Sequence, residues 1–312
     1  MSAPFTDGVT SAPWLTSVTS WIAEALAEQG VDVVGPPRQV RVRPWSTQLV
    51  VPTSAGHVWF KAGTPALAYE GALQATIARI VPGAVTTPLA VHPGAGWMLS
   101  ADHGASVRDL GPTSAQDWVA IAVAAALLQR ALVAHADALA AAGLPDGSPS
   151  SAPARFDSLL TDLPEDARER LRALRPRLVA ACDELLDSPF PVTWQHGDLH
   201  PGNVVAQRGR TDSGATLFDL GDADRSHALE VLAVPRSMIE DEATWGAVLA
   251  AYGDVWGVGE ADTRRAWASV PWLHAVNRTQ AWRRALARAT PAEVEHWFPD
   301  PTFHLNQLQE HA

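Results

Sequence analysis

One stretch of the sequence concentrates groups able to do chemistry: Trp194-Gln195-His196-Gly197-Asp198-Leu199-His200-Pro201-Gly202-Asn203-Val204-Val205. Apolar residues flank it, so the pattern predicts a strand ending at Trp194, a tight polar loop, and a strand resuming at Val204. The loop sets a carboxylate, Asp198, and an amide, Asn203, where a strand end exposes them. Further on, Leu217-Phe218-Asp219-Leu220-Gly221-Asp222 delivers another strand ending in a carboxylate. Asp198, Asn203 and Asp219 on adjacent hairpin strands can converge on one point. Hard oxygen ligands of that kind suit Mg²⁺ and the phosphates it carries.

A second set lies earlier. Trp59-Phe60-Lys61-Ala62 puts a lysine at the end of an apolar strand, in a chain whose positive charge is nearly all arginine. A strand lysine between aromatics must snorkel or find an anion. Glu70 falls early in the following helix. Packed against that strand, it can hold the Lys61 ammonium and aim it at phosphate oxygens.

The elements that must position these groups follow from periodicity. Residues 1–13, rich in Ser, Thr, Pro and Gly, read as a loose lead-in, and apolar spacing predicts a helix over 14–29. The period then changes to two, giving strands over 39–43, 47–52 and 57–62. A helix over 65–80 precedes two short strands, 89–92 and 96–100. From Ser114 the chain turns helical, with helices over 114–142, 164–186, 231–240, 244–256, 262–288 and 291–297, and a loop over 143–154.

Bulk properties narrow the function. A net charge of −11 offers no basic surplus for neutralising nucleic-acid phosphates. The single cysteine, Cys182, rules out an internal disulfide or a cysteine metal cluster and reads as a buried apolar residue. No basic stretch followed by an apolar run marks a leader, and the run Trp118 to Leu128 is too short to span a bilayer. A cytoplasmic protein with no membrane partner is expected.

Order then discriminates. Strand lysine, helix glutamate, two strands, a long helix, Asp-x4-Asn and strand Asp is the order of parts in protein-kinase-like phosphotransferases. The loop His196 to Asn203 closely resembles the catalytic loop of the aminoglycoside phosphotransferase family, whose superfamily includes choline and homoserine kinases. The resemblance covers roughly residues 38–290 and is most specific over 194–224.

It implies an α+β fold with two lobes. Residues 38–101 would form a small antiparallel-sheet lobe that binds nucleotide, 102–312 a mostly helical lobe, and 1–37 a helical extension. Carried over by position, Asp198 matches the catalytic aspartate, Asn203 and Asp219 the Mg²⁺ ligands, and Lys61 with Glu70 the phosphate-holding pair. His196 matches a histidine that braces the loop. The hinge would run through Ser100, Ala101, Asp102 and His103, with backbone of Ala101 and Asp102 reading a purine edge. The family's glycine-rich loop is missing. Arg43-Pro44-Trp45-Ser46-Thr47 stands in its place, so Ser46 and Thr47 are the expected phosphate contacts. Asp222 reads as a supporting residue, and Ser226 to Glu230, including His227, as packing. The helices after residue 240 would wall the acceptor site, with Trp272, His274, Asn277, Trp282 and Arg283 as candidates. The implied activity is transfer of a phosphoryl group from ATP or GTP to a small-molecule hydroxyl: an amino alcohol, a sugar, an amino sugar or an antibiotic. A polycationic antibiotic would need an acidic cleft. A catalytically silent nucleotide-binding relative is the competing reading, suggested by the missing loop.

Overall fold

The computed structural model describes residues 3–206 and 215–311. Its chain opens with α1 (Phe5–Val9) and α2 (Ala12–Ala27). Thus a helix forms within the expected loose lead-in, whose residues 1 and 2 lie outside the described part. The hydroxyl of Ser11 caps α2 by accepting from the Trp14 amide, and Val18, Ile22 and Leu26 form one buried stripe.

That stripe covers a five-stranded antiparallel sheet of order β1-β2-β3-β5-β4. The strands are β1 (Arg38–Val42), β2 (Ser46–Thr53), β3 (Gly56–Gly63), β4 (Pro88–His92) and β5 (Trp97–Ala101). Alternation on β3 buries Val58, Phe60 and Ala62 against α2. It turns Trp59 and Lys61 to the other face. Between β3 and β4 runs α3 (Glu70–Ile80), whose Leu73 and Ile77 join the core of the helical lobe.

That lobe begins with α4 (Ala115–Leu132), held by a reciprocal cap between Ser114 and Asp117. A 3₁₀ turn over Val133–His135 separates it from α5 (Ala136–Ala141). The stretch Ala115–Ala141 has the length and composition of a membrane span. Here it packs against other helices and buries Trp118, Ile121, Ala125 and Leu128. Next come α6 (Ala152–Leu160), α7 (Glu165–Arg172) and α8 (Arg175–Leu186).

Two small antiparallel ladders carry the polar loops. In the first, β6 (Val192–Gln195) pairs with β9 (Asp224–His227); in the second, β7 (Val204–Val205) pairs with β8 (Thr216–Leu217). The chain ends with α9 (Ala233–Met238), α10 (Glu242–Trp256), α11 (Glu260–Trp267), α12 (Val270–Ala285), α13 (Pro291–Trp297) and α14 (Phe303–Asn306).

The expected helix over 114–142 is divided by the 3₁₀ turn over Val133–His135, and those over 164–186 and 262–288 are divided as well. Pro176 and Pro271 lie in the first turns of α8 and α12. Proline lacks the N–H that would continue the preceding helix and suits the start of a new one.

Candidate functional site

Lys61 is the only lysine in the sequence. Its Nζ lies 2.7 Å from Glu70 Oε1 and 2.6 Å from Asp219 Oδ1. One ammonium therefore joins β3, α3 and the segment after β8. Burial alone would push the Lys61 ammonium down; the Asp219 and Glu70 charges more than offset it and hold it above its ordinary value. Burial would likewise raise Asp219, but Lys61 holds its carboxyl down to about 2. Glu70 moves upward, because its burial outweighs Lys61.

Asp219 has already left the ladder. Its φ of 63° is the only positive value at a non-glycine position among the described residues. Aspartate tolerates this left-handed region better than most side chains, still at a cost of about 1 kcal/mol. The neighbouring backbone is tied down on both sides. His196 Nε2 donates to the Phe218 carbonyl at 3.0 Å, while its Nδ1 accepts from the Asp198 amide at 3.3 Å. Tyr69 Oη reaches the carbonyls of Gly221 at 2.6 Å and Ala223 at 3.0 Å. Burial depresses the basicity of His196, consistent with a neutral ring bridging two loops.

The catalytic-type loop is held as closely. Gln195 Oε1 accepts from the Gly197 amide at 2.6 Å, and Gln195 Nε2 donates to Asp224 Oδ1 at 2.8 Å. Gly197 has φ +79°, and a Cβ there would lie 2.0 Å from the Asp222 carbonyl oxygen. Only glycine fits this crossing. Asn203 Nδ2 donates to the Asp198 carbonyl at 2.9 Å.

Asp198 projects between Arg278 and His200. Arg278 Nη2 lies 3.6 Å from one carboxylate oxygen and His200 Nε2 3.5 Å from the other. His200 Nδ1 accepts from the Gly202 amide and faces Arg108 Nη2, each at 3.0 Å, which leaves the proton on Nε2. Burial would raise Asp198; the His200 hydrogen bond and the Arg278 charge outweigh it and hold the carboxyl below its ordinary value. Arg278 also pairs with Asp222 at 3.3 Å.

Two cavities meet at this cluster. One, of about 460 Å³, runs from Met98, Ser100, Asp102, His103 and Gly104 to Asn203, Phe218 and Asp219. The other, of about 240 Å³, lies against α12 and α13. Arg41, Arg43, Lys61, Glu70, Asp198 and Asp219 line both.

The expected site residues are thus partly assembled. Lys61, Glu70, Asp198, Asn203, Asp219 and Asp102 line the larger cavity. Ser46 lines the smaller one. Thr47 is fully buried, donating to the Arg41 carbonyl and accepting from Gln39 Nε2, so its hydroxyl is spent inside the sheet. Ala101 closes β5 opposite Val58 and lines neither cavity among the described residues. Arg41 and Arg43 occupy the place of the missing glycine-rich loop.

On α12 only Trp282 of the expected candidates reaches a cavity. Trp272 is core, Asn277 and His274 bond buried Glu230, and Arg283 pairs with Asp162 at the surface. The cavity-facing stripe is Arg278, Ala281, Trp282 and Ala285, an i, i+3, i+4, i+7 pattern that the sequence does contain.

The donor set also bears on a metal. Among the described residues no three His, Cys, Asp or Glu side chains cluster into a cage. Asn203 and Asp219 instead present two hard oxygen donors to the larger cavity, since the Asn203 nitrogen and one Asp219 oxygen are already engaged. Few protein ligands beside substrate phosphates is the usual Mg²⁺ arrangement.

Among solved structures, a macrolide 2′-phosphotransferase type I is similar at a TM-score of 0.60 and 17% identity, covering 94% of this chain and 97% of its own. A Plasmodium vivax ethanolamine kinase gives 0.66 at 10% identity, over 97% and 91%. The GDP complex of a wild-type aminoglycoside 2′-phosphotransferase-IIIa gives 0.60 at 13% identity, over 94% and 98%. These likenesses establish the bilobed protein-kinase-like fold. No curated protein matches the sequence significantly. The profile of the phosphotransferase enzyme family matches residues 68–273, well over half of the sequence, and the chain belongs to that family.

Proposed function

We propose that this phosphotransferase moves the γ-phosphoryl group of ATP or GTP to a hydroxyl of a small molecule. The observation that carries the reading is the junction of the two cavities. Asp198 stands there beside Lys61, Glu70 and Asp219. The larger cavity would take the nucleotide, its base at Ser100 to Gly104 and its phosphates toward Lys61, Arg41 and Arg43. The smaller would take the acceptor.

The acceptor oxygen attacks the γ-phosphorus, and an oxygen–phosphorus bond forms. The bond from that phosphorus to the β–γ bridging oxygen breaks, and the nucleoside diphosphate leaves with the electron pair. The hydroxyl proton passes to an Asp198 oxygen. Arg278 and His200 keep Asp198 ionised and aimed, so it can orient and accept that proton. Lys61 and the two arginines offset phosphate charge in place of backbone amides. Asn203 and Asp219 would hold Mg²⁺, which when bound supplies further charge neutralisation at the phosphates.

The test replaces Asp198 with Ala and follows nucleoside diphosphate release over a panel of hydroxyl acceptors. A loss of roughly 10²–10⁴ in turnover is expected. Mg²⁺-ATP or Mg²⁺-GTP should still raise the melting temperature of the variant by mass action. Equal turnover by wild type and variant across the panel would sink the reading and leave a silent nucleotide binder.

A further inference from the structure

The turn that stands in place of the glycine-rich loop is gripped from the opposite lobe. Trp45, between β1 and β2, meets Trp297 of α13 at 4.8 Å and Trp282 of α12 at 5.7 Å between ring centroids, edge to face. Phe298 stacks on Trp282 at 5.4 Å, with the ring planes 5° apart. A second route ties the chain before α13 to the sheet lobe. The Phe5 amide of α1 donates to the Arg288 carbonyl at 3.1 Å, and the Val9 carbonyl at the end of α1 accepts from Gln39 Nε2 of β1 at 3.1 Å. The lobes are therefore joined here as well as through the connection after β5.

Arg43 sits within this junction. Its guanidinium lies over the Trp45 ring, 5.4 Å from the centroid, and over the Trp297 ring at 5.1 Å. Both distances fall within the roughly 6 Å reach of a cation–π contact. Such a contact uses the flat face of a guanidinium and leaves the N–H groups in its plane free to donate. Among the described residues the Arg43 side chain makes no hydrogen bond or ion pair, although the Asp219 charge reaches it. It lines both cavities, so its donors are available where they meet.

Arg41 is the contrast. It lines the same two cavities, yet among the described residues no ring lies over its guanidinium. An arginine that a ligand must fix gives up rotamer freedom on binding. Rings that fix it beforehand remove that cost. The family profile spans residues 68–273 and so gives no part to Arg43, Trp45 or Trp297.

Resting on the phosphotransferase reading above, we infer that Trp297 is a positioning residue for the nucleotide. From the helical lobe it holds Arg43 of the sheet lobe with its donors toward the phosphates. It acts through Arg43 and touches no reacting atom.

Titration calorimetry of the full chain with Mg²⁺-ATP and Mg²⁺-GTP tests this without any acceptor. Arg43→Gln should weaken the tighter of the two about tenfold, the scale of one charge-assisted contact. Trp297→Leu keeps apolar bulk but has no π face, and should weaken it about threefold, the scale of one cation–π contact. Trp297→Phe restores a face and should stay within about twofold of wild type. Trp297→Met replaces the leucine variant should that one not fold. In the Arg43→Gln chain, Trp297→Leu should add nothing, whereas in the Arg41→Gln chain its full effect should remain. An effect carried by the turn as a whole would persist in both backgrounds. Equal effects in the two backgrounds, no effect of Arg43→Gln or of Trp297→Leu, or a phenylalanine variant as weak as the leucine one each overturns the inference and leaves the phosphotransferase reading standing. If the wild-type chain binds neither triphosphate, that reading fails and the inference falls with it.

Discussion

Asp224, at the start of β9, makes a prediction whose sign is fixed by the structure. The side chain is buried and accepts from Gln195 Nε2. Burial, and after it the Glu230 charge, push its carboxyl from 3.8 up to about 8 against the pull of Gln195, Arg284 and Arg155. Between those values the folded protein keeps a proton that the unfolded chain has released. Stability therefore falls as pH rises, by about 1.4 kcal/mol per unit. From pH 5 to 8 the loss is about 4 kcal/mol at most, since any relaxation of the site lets it ionise earlier.

Asp224→Asn removes this titration while keeping an oxygen for Gln195. The variant should match wild type near pH 4 and gain on it steadily up to pH 8. At roughly 2 °C per kcal/mol for a chain of this size, melting curves at pH 5, 6, 7 and 8 would show the gap widening by several degrees. Turnover should be retained, because Gln195 can still hold the Gly197 amide. If Asp224 were instead ionised and balanced by Arg155 or Arg284, the variant would be the less stable protein at pH 7–8. A gap that opens in that direction, or does not change with pH, refutes the reasoning.

Gly197→Ala places a Cβ 2.0 Å from the Asp222 carbonyl oxygen, so the loop must move by about 1 Å to relieve the overlap. A displacement of that size costs on the order of 10² in kcat, and an unaltered kcat would show that the loop geometry is not limiting. Arg278→Met removes a cation that holds Asp198 down, so the acidic limb of kcat/KM should move to higher pH, with the loss growing toward the acidic end of the profile. An unmoved limb in a pH–rate profile would detach Asp198 from the proton transfer.

Much of the cluster that lines the two cavities was legible, because the proposed phosphoryl transfer would demand particular atoms at particular turns. Asp198, Asn203 and Asp219 sit at loop and strand ends whose flanking apolar runs are unmistakable. What escaped was set by packing. Arg41 and Arg43 look like ordinary strand-end arginines, and only the tertiary fold turns them into both cavities. Thr47 had the right chemistry for phosphate, yet Gln39 and the Arg41 carbonyl use its hydroxyl. On α12 the residue types were suggestive at several positions; the helical phase that selects Arg278 and Trp282 depends on Pro271 restarting the helix. Strand β9 reads Asp-Arg-Ser-His, a composition foreign to strands, and forms because β6 offers it a partner. Helix α6 was hidden by the Ser- and Pro-rich segment that leads into it, although Phe156, Leu159 and Leu160 mark its buried face.

The Lys61–Asp219 contact has a physical rationale on the proposed reading. A phosphate-binding ammonium and a metal-binding carboxylate are both needed deep in a cleft. Either one left alone there would cost several kcal/mol in lost hydration. At 2.6 Å each serves as the other's counterion. With nucleotide and Mg²⁺ bound, phosphate oxygens would take the place of Asp219 beside Lys61, Asp219 would hold the metal, and Glu70, 2.7 Å from the ammonium, would keep Lys61 in position. Removing Glu70 should therefore weaken nucleotide affinity more than it weakens the fold, because Asp219 remains to neutralise Lys61 in the empty site.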